Sequence, residues 1–133
     1  MEVKFGDVYY VYCGEMKSHV QSGLRPAVIW QNNVGNRYSP NVVVIPITSA
    51  IKRLDMPTHV LIPAKESGLP VNSMALCEHP ITIAMDELCD YVSHLPDKIL
   101  IDMAKGSIMA SSAIALLDDK NIKETKEKAG KLI

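Results

Sequence analysis

A chain of 133 residues, 47% hydrophobic and 22% charged, fits one compact domain with enough apolar side chains for a core, and excludes a second full domain. A mean hydropathy of +0.07 arises from scattered apolar residues with no run near the ~20 that a membrane-spanning helix needs, and the start Met1-Glu2-Val3-Lys4 lacks the pattern of a secretory signal, so a soluble, cytoplasmic protein with no membrane partner is expected. The net charge of −1 is unevenly spread: residues 1–65 carry seven Lys or Arg against four acids and residues 66–133 seven against eleven, which directs any polyanion to the first half.

Apolar alternation and β-branched residues predict strands at Asp7–Tyr12, Ala27–Gln31, Val42–Thr48, His59–Pro63 and Ser73–Cys77. Turn-rich connections join them: a long polar loop from Gly14 to Pro26, the Asn- and Gly-containing stretch Asn32–Pro40, and Ser67–Asn72 with Gly68 and Pro70. Several short strands with such turns predict a small barrel or open roll. From Pro96 the period changes. Leu100, Met103, Ala104, Ile108, Ser111, Ile114 and Ala115 recur at spacings of three and four, predicting an amphipathic helix of about five turns opened by Pro96 and Asp97. Gly106 inside it costs ~1 kcal/mol relative to Ala, so packing has to hold this helix. A shorter helical turn is expected near Asp86–Cys89. The predicted domain spans residues 1–117, and the charged tail 118–133 reads as a frayed helix or a disordered end.

Gly23-Leu24-Arg25-Pro26 sets an arginine at the exit of the long loop, where Pro26 restricts Arg25 to extended conformations. Such a guanidinium either faces an anion or closes a surface salt bridge. The strand through Val42–Thr48 ends in the hydroxyls of Thr48 and Ser49, which serve equally as phosphate donors or as turn formers. Lys52 and Arg53 follow, with Arg37 elsewhere in the same half, as a small basic patch suited to a few phosphate contacts or to solvent. Glu78-His79 could supply an acid–base pair, although neighbours on an extended chain point to opposite faces. Trp30 and Tyr38 read either as core or as stacking surfaces for bases. Cys13, Cys77 and Cys89 form no C-x-x-C pair, and His19, His59, His79 and His94 fall at no metal-ligand spacing, so neither a metal nor another cofactor is expected. Phosphate-binding and dinucleotide glycine loops and the G-x-S-x-G elbow are absent.

Together these segments resemble the MazF/PemK toxin family. The resemblance is carried by Phe5-Gly6-Asp7-Val8-Tyr9, by Gly23-Leu24-Arg25-Pro26-Ala27-Val28-Ile29, by Gln31-Asn32-Asn33-Val34-Gly35-Asn36-Arg37-Tyr38-Ser39-Pro40, by Ile47-Thr48 and by Pro57-Thr58-His59-Val60, nearly continuously to about residue 83. It implies a mainly β fold, an SH3-like small barrel with a C-terminal helix, assembled as a homodimer. It also implies a sequence-selective, metal-independent endoribonuclease that cuts single-stranded mRNA and is restrained by a cognate antitoxin. The family's catalytic positions match Arg25 and Thr48, and Ser49, Lys52, Arg53, Met56, Glu78 and His79 are the positions expected to contact RNA. Two departures stand out. Val20-Gln21-Ser22-Gly23 lacks the acidic residue and Gly-Gly pair frequent before the family's Arg, and Glu78-His79-Pro80-Ile81 stands where relatives have Glu-Gln followed by Arg. A barrel that binds RNA or antitoxin without turnover, and a gyrase poison of the CcdB type, are the alternatives on the same fold.

Overall fold

The computed structural model describes residues 2–12 and 23–132. Seven strands, β1 (Asp7–Tyr12), β2 (Leu24–Ile29), β3 (Asn41–Thr48), β4 (His59–Ile62), β5 (Ser73–Leu76), β6 (Ile81–Ala84) and β7 (Leu88–His94), pair antiparallel in the order β4-β5-β3-β2-β1-β7, with β6 on β3. The path is open, with β4 and β7 at its two ends. The fold is therefore a mostly antiparallel sheet with two short helices, α1 (Asn33–Tyr38) and α2 (Ala64–Ser67), and with C-terminal helices, among them α3 (Asp97–Met109) and α4 (Asp119–Ala129).

β3 organises the sheet because it is apolar on both faces. One edge pairs with β2 through Val44–Pro46, while the other pairs first with β6 through Asn41–Val44 and then with β5 through Ile47 and Thr48. Alternation along β1–β3 then builds two cores. Val8, Val28, Ile45 and Ile47 pack with β4, β5 and α3, and Tyr9, Val11, Ala27, Ile29, Val42 and Val44 pack on the opposite side with Leu88 and the half-buried Ile83 and Met85.

Four expectations from the sequence are corrected. β2 begins three residues before the expected Ala27, so Arg25 and Pro26 lie inside the strand, each paired to β1 across Val11 and Tyr10; Pro26 adopts an extended backbone readily and can stand there because only its N–H is missing. Part of the stretch read as a turn, Asn32–Pro40, is a short helix, α1 (Asn33–Tyr38), because the Asn32 side chain accepts the Gly35 N–H at 2.8 Å and supplies the cap. β6 and β7 were not expected; around them the anticipated helical turn shrinks to a 3-10 turn at Met85–Glu87, and Cys89 joins β7. Finally, the long helix stops at Met109 and not near Ala115. Its buried stripe is Ile99, Met103 and Gly106, which leaves Ala104 and Ile108 exposed.

Glycine explains that last shift. A Cβ on Gly106 would lie 2.8 Å from the Pro57 carbonyl oxygen and 3.3 Å from the Cys77 Cβ, so only glycine lets α3 approach the sheet this closely, and the face that carries it becomes the inner face. At the other end of α3, Gly6 holds φ +91° with Leu100 against it, where a side chain would be both strained and obstructed. Beneath Gly106, burial pushes the Cys77 thiol up to about 11. The tail is helical: Asp118 caps α4 by accepting the Asn121 N–H at 2.8 Å, yet α4 buries no side chain. No helix among the described residues is long and apolar enough to cross a membrane.

Candidate active site

The register of β2 on β3 sets Ala27 opposite Pro46, Val28 opposite Ile45 and Ile29 opposite Val44. Continued by two residues toward the strand end, it sets Arg25 opposite Thr48. Directly opposed residues of an antiparallel pair project to the same face, close enough to act together. Arg25 is half-buried and flanked by β1 at Val11. Just before β2, Gly23 takes φ +111°, so the turn into this strand has a conformation that favours glycine. Thr48 is half-buried, and its Oγ1 accepts the Ala50 N–H at 3.0 Å. That bond fixes the side chain by one lone pair and leaves the hydroxyl proton to be donated.

Ser49 stands exposed just beyond, and with Arg25 it borders a cavity of about 190 Å³ that opens on the other face of the sheet end, between Pro26 and Ile47 on one side and Pro70 and Val71 on the other. Lys52 and Arg53 lie exposed in the loop that follows β3. Arg53 has φ +54°, and its guanidinium forks onto Asp55 with both nitrogens at 3.0 Å. The hydrogen bond and charge of each partner raise the Arg53 pKa and lower that of Asp55. Met56, half-buried, faces a separate groove of about 540 Å³ between this loop, β4 and α3.

Glu78 does not pair as the sequence suggests. His79 is exposed, with Nε2 4.0 Å from Glu78 Oε2, whereas His59 Nε2 donates to that oxygen at 2.8 Å. The other ring nitrogen of His59, Nδ1, lies 3.0 Å from the carbonyl oxygens of both Lys52 and Arg53. Every partner of the ring is an acceptor, an arrangement that only the doubly protonated imidazolium satisfies on both sides. The Glu78 hydrogen bond accordingly raises the His59 pKa, against the effect of burial. Burial opposes the charge on Glu78, but hydrogen bonds from its own backbone and from His59, together with the charges of His59 and His79, hold its carboxyl below the usual value. The second oxygen, Oε1, is buried with no hydrogen-bond partner among the described residues.

The structure thus gathers Arg25, Thr48 and Ser49 at the end of β2 and β3, leaves Lys52 and Arg53 on the adjoining loop, and groups Met56, Glu78 and His79 around His59. His59 was singled out in the sequence only as part of Pro57-Thr58-His59-Val60; its pairing with a carboxylate nineteen positions away had no local signal. Val20, Gln21 and Ser22, the altered stretch before Arg25, lie outside the described residues, as do Cys13 and His19. Among the described residues no three His, Cys, Asp or Glu side chains cluster as metal ligands would.

Residues 4–106 match the family described as PemK-like, MazF-like toxin of type II toxin-antitoxin system. The chain is 38% identical over 118 residues to endoribonuclease EndoA of Bacillus subtilis, covering 89% of this chain and 99% of that protein. It is 39% identical over 93 residues to endoribonuclease MazF of Staphylococcus saprophyticus, covering 70% of this chain and 78% of that one. In three dimensions it is similar to a mycobacterial endoribonuclease solved in complex with its cognate antitoxin, with a TM-score of 0.63 and 22% identity over 82% of this chain and 92% of the other, which supports the fold.

Proposed function

The chain belongs to the PemK-like, MazF-like toxins of type II toxin-antitoxin systems, and from that premise we propose that it is an endoribonuclease that cuts single-stranded mRNA at the Arg25–Thr48 corner. The observation that carries this reading is the register of β2 on β3 from Ile29–Val44 to Ala27–Pro46, which, continued to the strand end, sets those two residues opposite each other. In the reaction, the RNA's own 2′-oxygen attacks the adjacent phosphorus. A bond from O2′ to phosphorus forms and the bond to O5′ breaks, the 2′ proton leaves and the departing 5′ oxygen gains one, giving a 2′,3′-cyclic phosphate and a 5′-hydroxyl. Arg25 neutralises the charge that gathers on the phosphorane, the kind of stabilisation that commonly supplies the largest share of catalysis. A guanidinium keeps its protons and is a poor base, so its part is electrostatic. Thr48 spends the proton left by its bond from Ala50 on a non-bridging oxygen. Neither role needs a metal, and holding sugar and phosphate in line supplies much of the remaining rate.

Ser49, Lys52 and Arg53 extend this corner along the RNA, with Met56, Glu78 and His79 bordering the next stretch. The two cores packed on opposite faces of β1–β3 support reading the open sheet as the family's SH3-like small barrel, one domain over residues 1–117 with α4 as an appendage. The exposed apolar residues Tyr91, Ile101 and Ile108 support a homodimer, and the antitoxin-bound mycobacterial relative supports a cognate antitoxin as the cytoplasmic partner.

The test is cleavage of a long unstructured RNA in EDTA by the wild type and by Arg25→Ala, with the 5′ ends of fragments mapped. Discrete cuts that fall by about a thousandfold or more in the variant are expected, in line with the loss of a transition-state donor in a preorganised site. Intact RNA with the wild type, or equal cutting by both proteins, overturns the assignment.

A further inference from the structure

A second cavity lies at the pole of the sheet opposite Arg25 and Thr48. Helix α1 joins the end of β2 at Ile29 to the start of β3 at Asn41, and the length of β3 puts about 24 Å between Asn41 and Thr48. The cavity, about 480 Å³, separates one face of α1, which carries Asn33, Asn36 and Arg37 at helical spacing, from the N-terminal segment Glu2, Val3 and Lys4. A single atom stitches the two walls together. Asn33 Oδ1 accepts the Phe5 N–H at 2.8 Å from one wall and the Asn36 side-chain N–H at 3.2 Å from the other. The Lys4 N–H donates to Asp7 Oδ2 at 2.9 Å, and Val3 is anchored in the core. The cavity is therefore built in advance, within the size range of small-molecule sites.

We propose that this cavity binds a free mononucleotide, a nucleoside 5′-phosphate whose base carries an amino group. Asn36 sets the first requirement. Its side chain is buried, with the residue 7% exposed; its nitrogen donates to the Gln31 carbonyl at 2.9 Å as well as to Asn33, and its oxygen accepts nothing among the described residues. A buried carbonyl left without a donor is destabilising, and an N–H of a ligand in the cavity supplies one. Adenine, cytosine and guanine carry an amino group that can do so, whereas uracil presents a carbonyl in its place. The cations set the second requirement. Lys4 and Arg37 are exposed on opposite walls, neither closes an ion pair among the described residues, and the Arg37 guanidinium stands 5.9 Å from the centroid of the exposed Tyr38 ring. Two unpaired cations on one cavity suit a phosphate, and the Glu2 carboxylate is an acceptor for ribose hydroxyls. Size completes the class: about 480 Å³ leaves a free phosphate or an amino acid with most of the space unfilled and holds base, sugar and phosphate together. The site shares no residue with the cutting corner, so it stands or falls apart from the ribonuclease reading.

Titration calorimetry of the whole chain with free mononucleotides tests the site, and Trp30 adds a local signal. It is the chain's one tryptophan, and its ring lies 4.6 Å from that of Phe5, whose N–H is held at the cavity wall. Cytidine and adenosine 5′-monophosphates are expected to bind at a single site and to shift the Trp30 fluorescence. Uridine 5′-monophosphate, which lacks the amino group, and cytidine, which lacks the phosphate, are each expected to bind more weakly than cytidylate by about tenfold or more. Arg37→Gln and Lys4→Gln, both at exposed positions, are expected to weaken cytidylate by about fivefold or more each at an unchanged melting temperature, and Arg25→Ala is expected to bind it as the wild type does. Absence of binding, equal affinity for cytidylate and uridylate, or affinity that survives both exposed substitutions overturns the site. Loss of binding in Arg25→Ala also overturns it, by placing the nucleotide at the cutting corner. RNA cutting without cytidylate binding removes the site and leaves the ribonuclease standing; cytidylate binding without cutting does the reverse.

Discussion

Two corners of this molecule are held in place by different means. At the end of β2 and β3, Arg25 and Thr48 are positioned by backbone register, and the two cores that fix the register lie behind them. At the junction of the loop after β3 with β5 and α3, position depends on side chains: the His59 ring ties the carbonyls of Lys52 and Arg53 to Glu78, and Gly106 sits against the Pro57 carbonyl. On the proposed function, the difference separates chemistry from stability. Side chains set by register can be exchanged with little disturbance to the fold, whereas those at the junction are themselves the fastening.

The largest effect should come from the first corner. Thr48→Val keeps shape and branching while removing the hydroxyl, and is expected to slow cleavage by about a hundredfold or more, as for other lost transition-state donors, with the melting temperature within about two degrees of wild type; a large thermal loss with unchanged rate would reverse the comparison. At the junction the pattern should invert. Gly106→Ala gains up to ~1 kcal/mol of helix propensity but drives a methyl group into a backbone carbonyl that cannot rotate aside, so a net destabilisation of about 1–2 kcal/mol is expected in urea denaturation. A stabilised variant would mean that α3 does not ride this close to the sheet.

The smallest effect is a pH signature. The folded pKa of His59 is raised above its ordinary 6.5, so its contribution is complete below that value and is lost as pH rises through the folded pKa. Glu78 is lowered from its ordinary 4.5, so its contribution is present above that value and is lost as pH falls through the folded pKa. The pair therefore stabilises most between about pH 4.5 and 6.5. Denaturation of the wild type and of His59→Gln across pH 4 to 9 should show the two curves farthest apart in that window and converging on the alkaline side. Parallel curves would show that the ring bears no charge.

Legibility in the sequence followed the same division. β1, β3, β4 and β5 were readable because a strand with one buried face advertises itself by alternation and one buried on both faces by an unbroken β-branched apolar run, as Val42–Ile47 does. Arg25 and Thr48 could be nominated from motif resemblance, and their opposition follows once both strands are paired. β6 and β7 were not readable: Ile81–Ala84 is short and exposed over its first half, and Leu88–His94 buries only Leu88 fully, so neither shows a pattern of period two. The inner face of α3 was misjudged because apolar counting favours Ile108 and gives no weight to Gly106, whose value is the absence of a side chain. His59 with Glu78 and the cavity between Lys4 and Arg37 bring together residues far apart along the chain, and no local pattern encodes such meetings.

Cys77 gives the close contact of α3 a practical use. A thiol reacts with alkylating reagents as its thiolate and only where the reagent can reach it, and here both conditions are withheld, by a pKa of about 11 and by the helix that covers the sulfur. Slow alkylation of Cys77 in the native protein thus counts the moments at which the helix lifts from the sheet, a built-in clock for the opening of this fold.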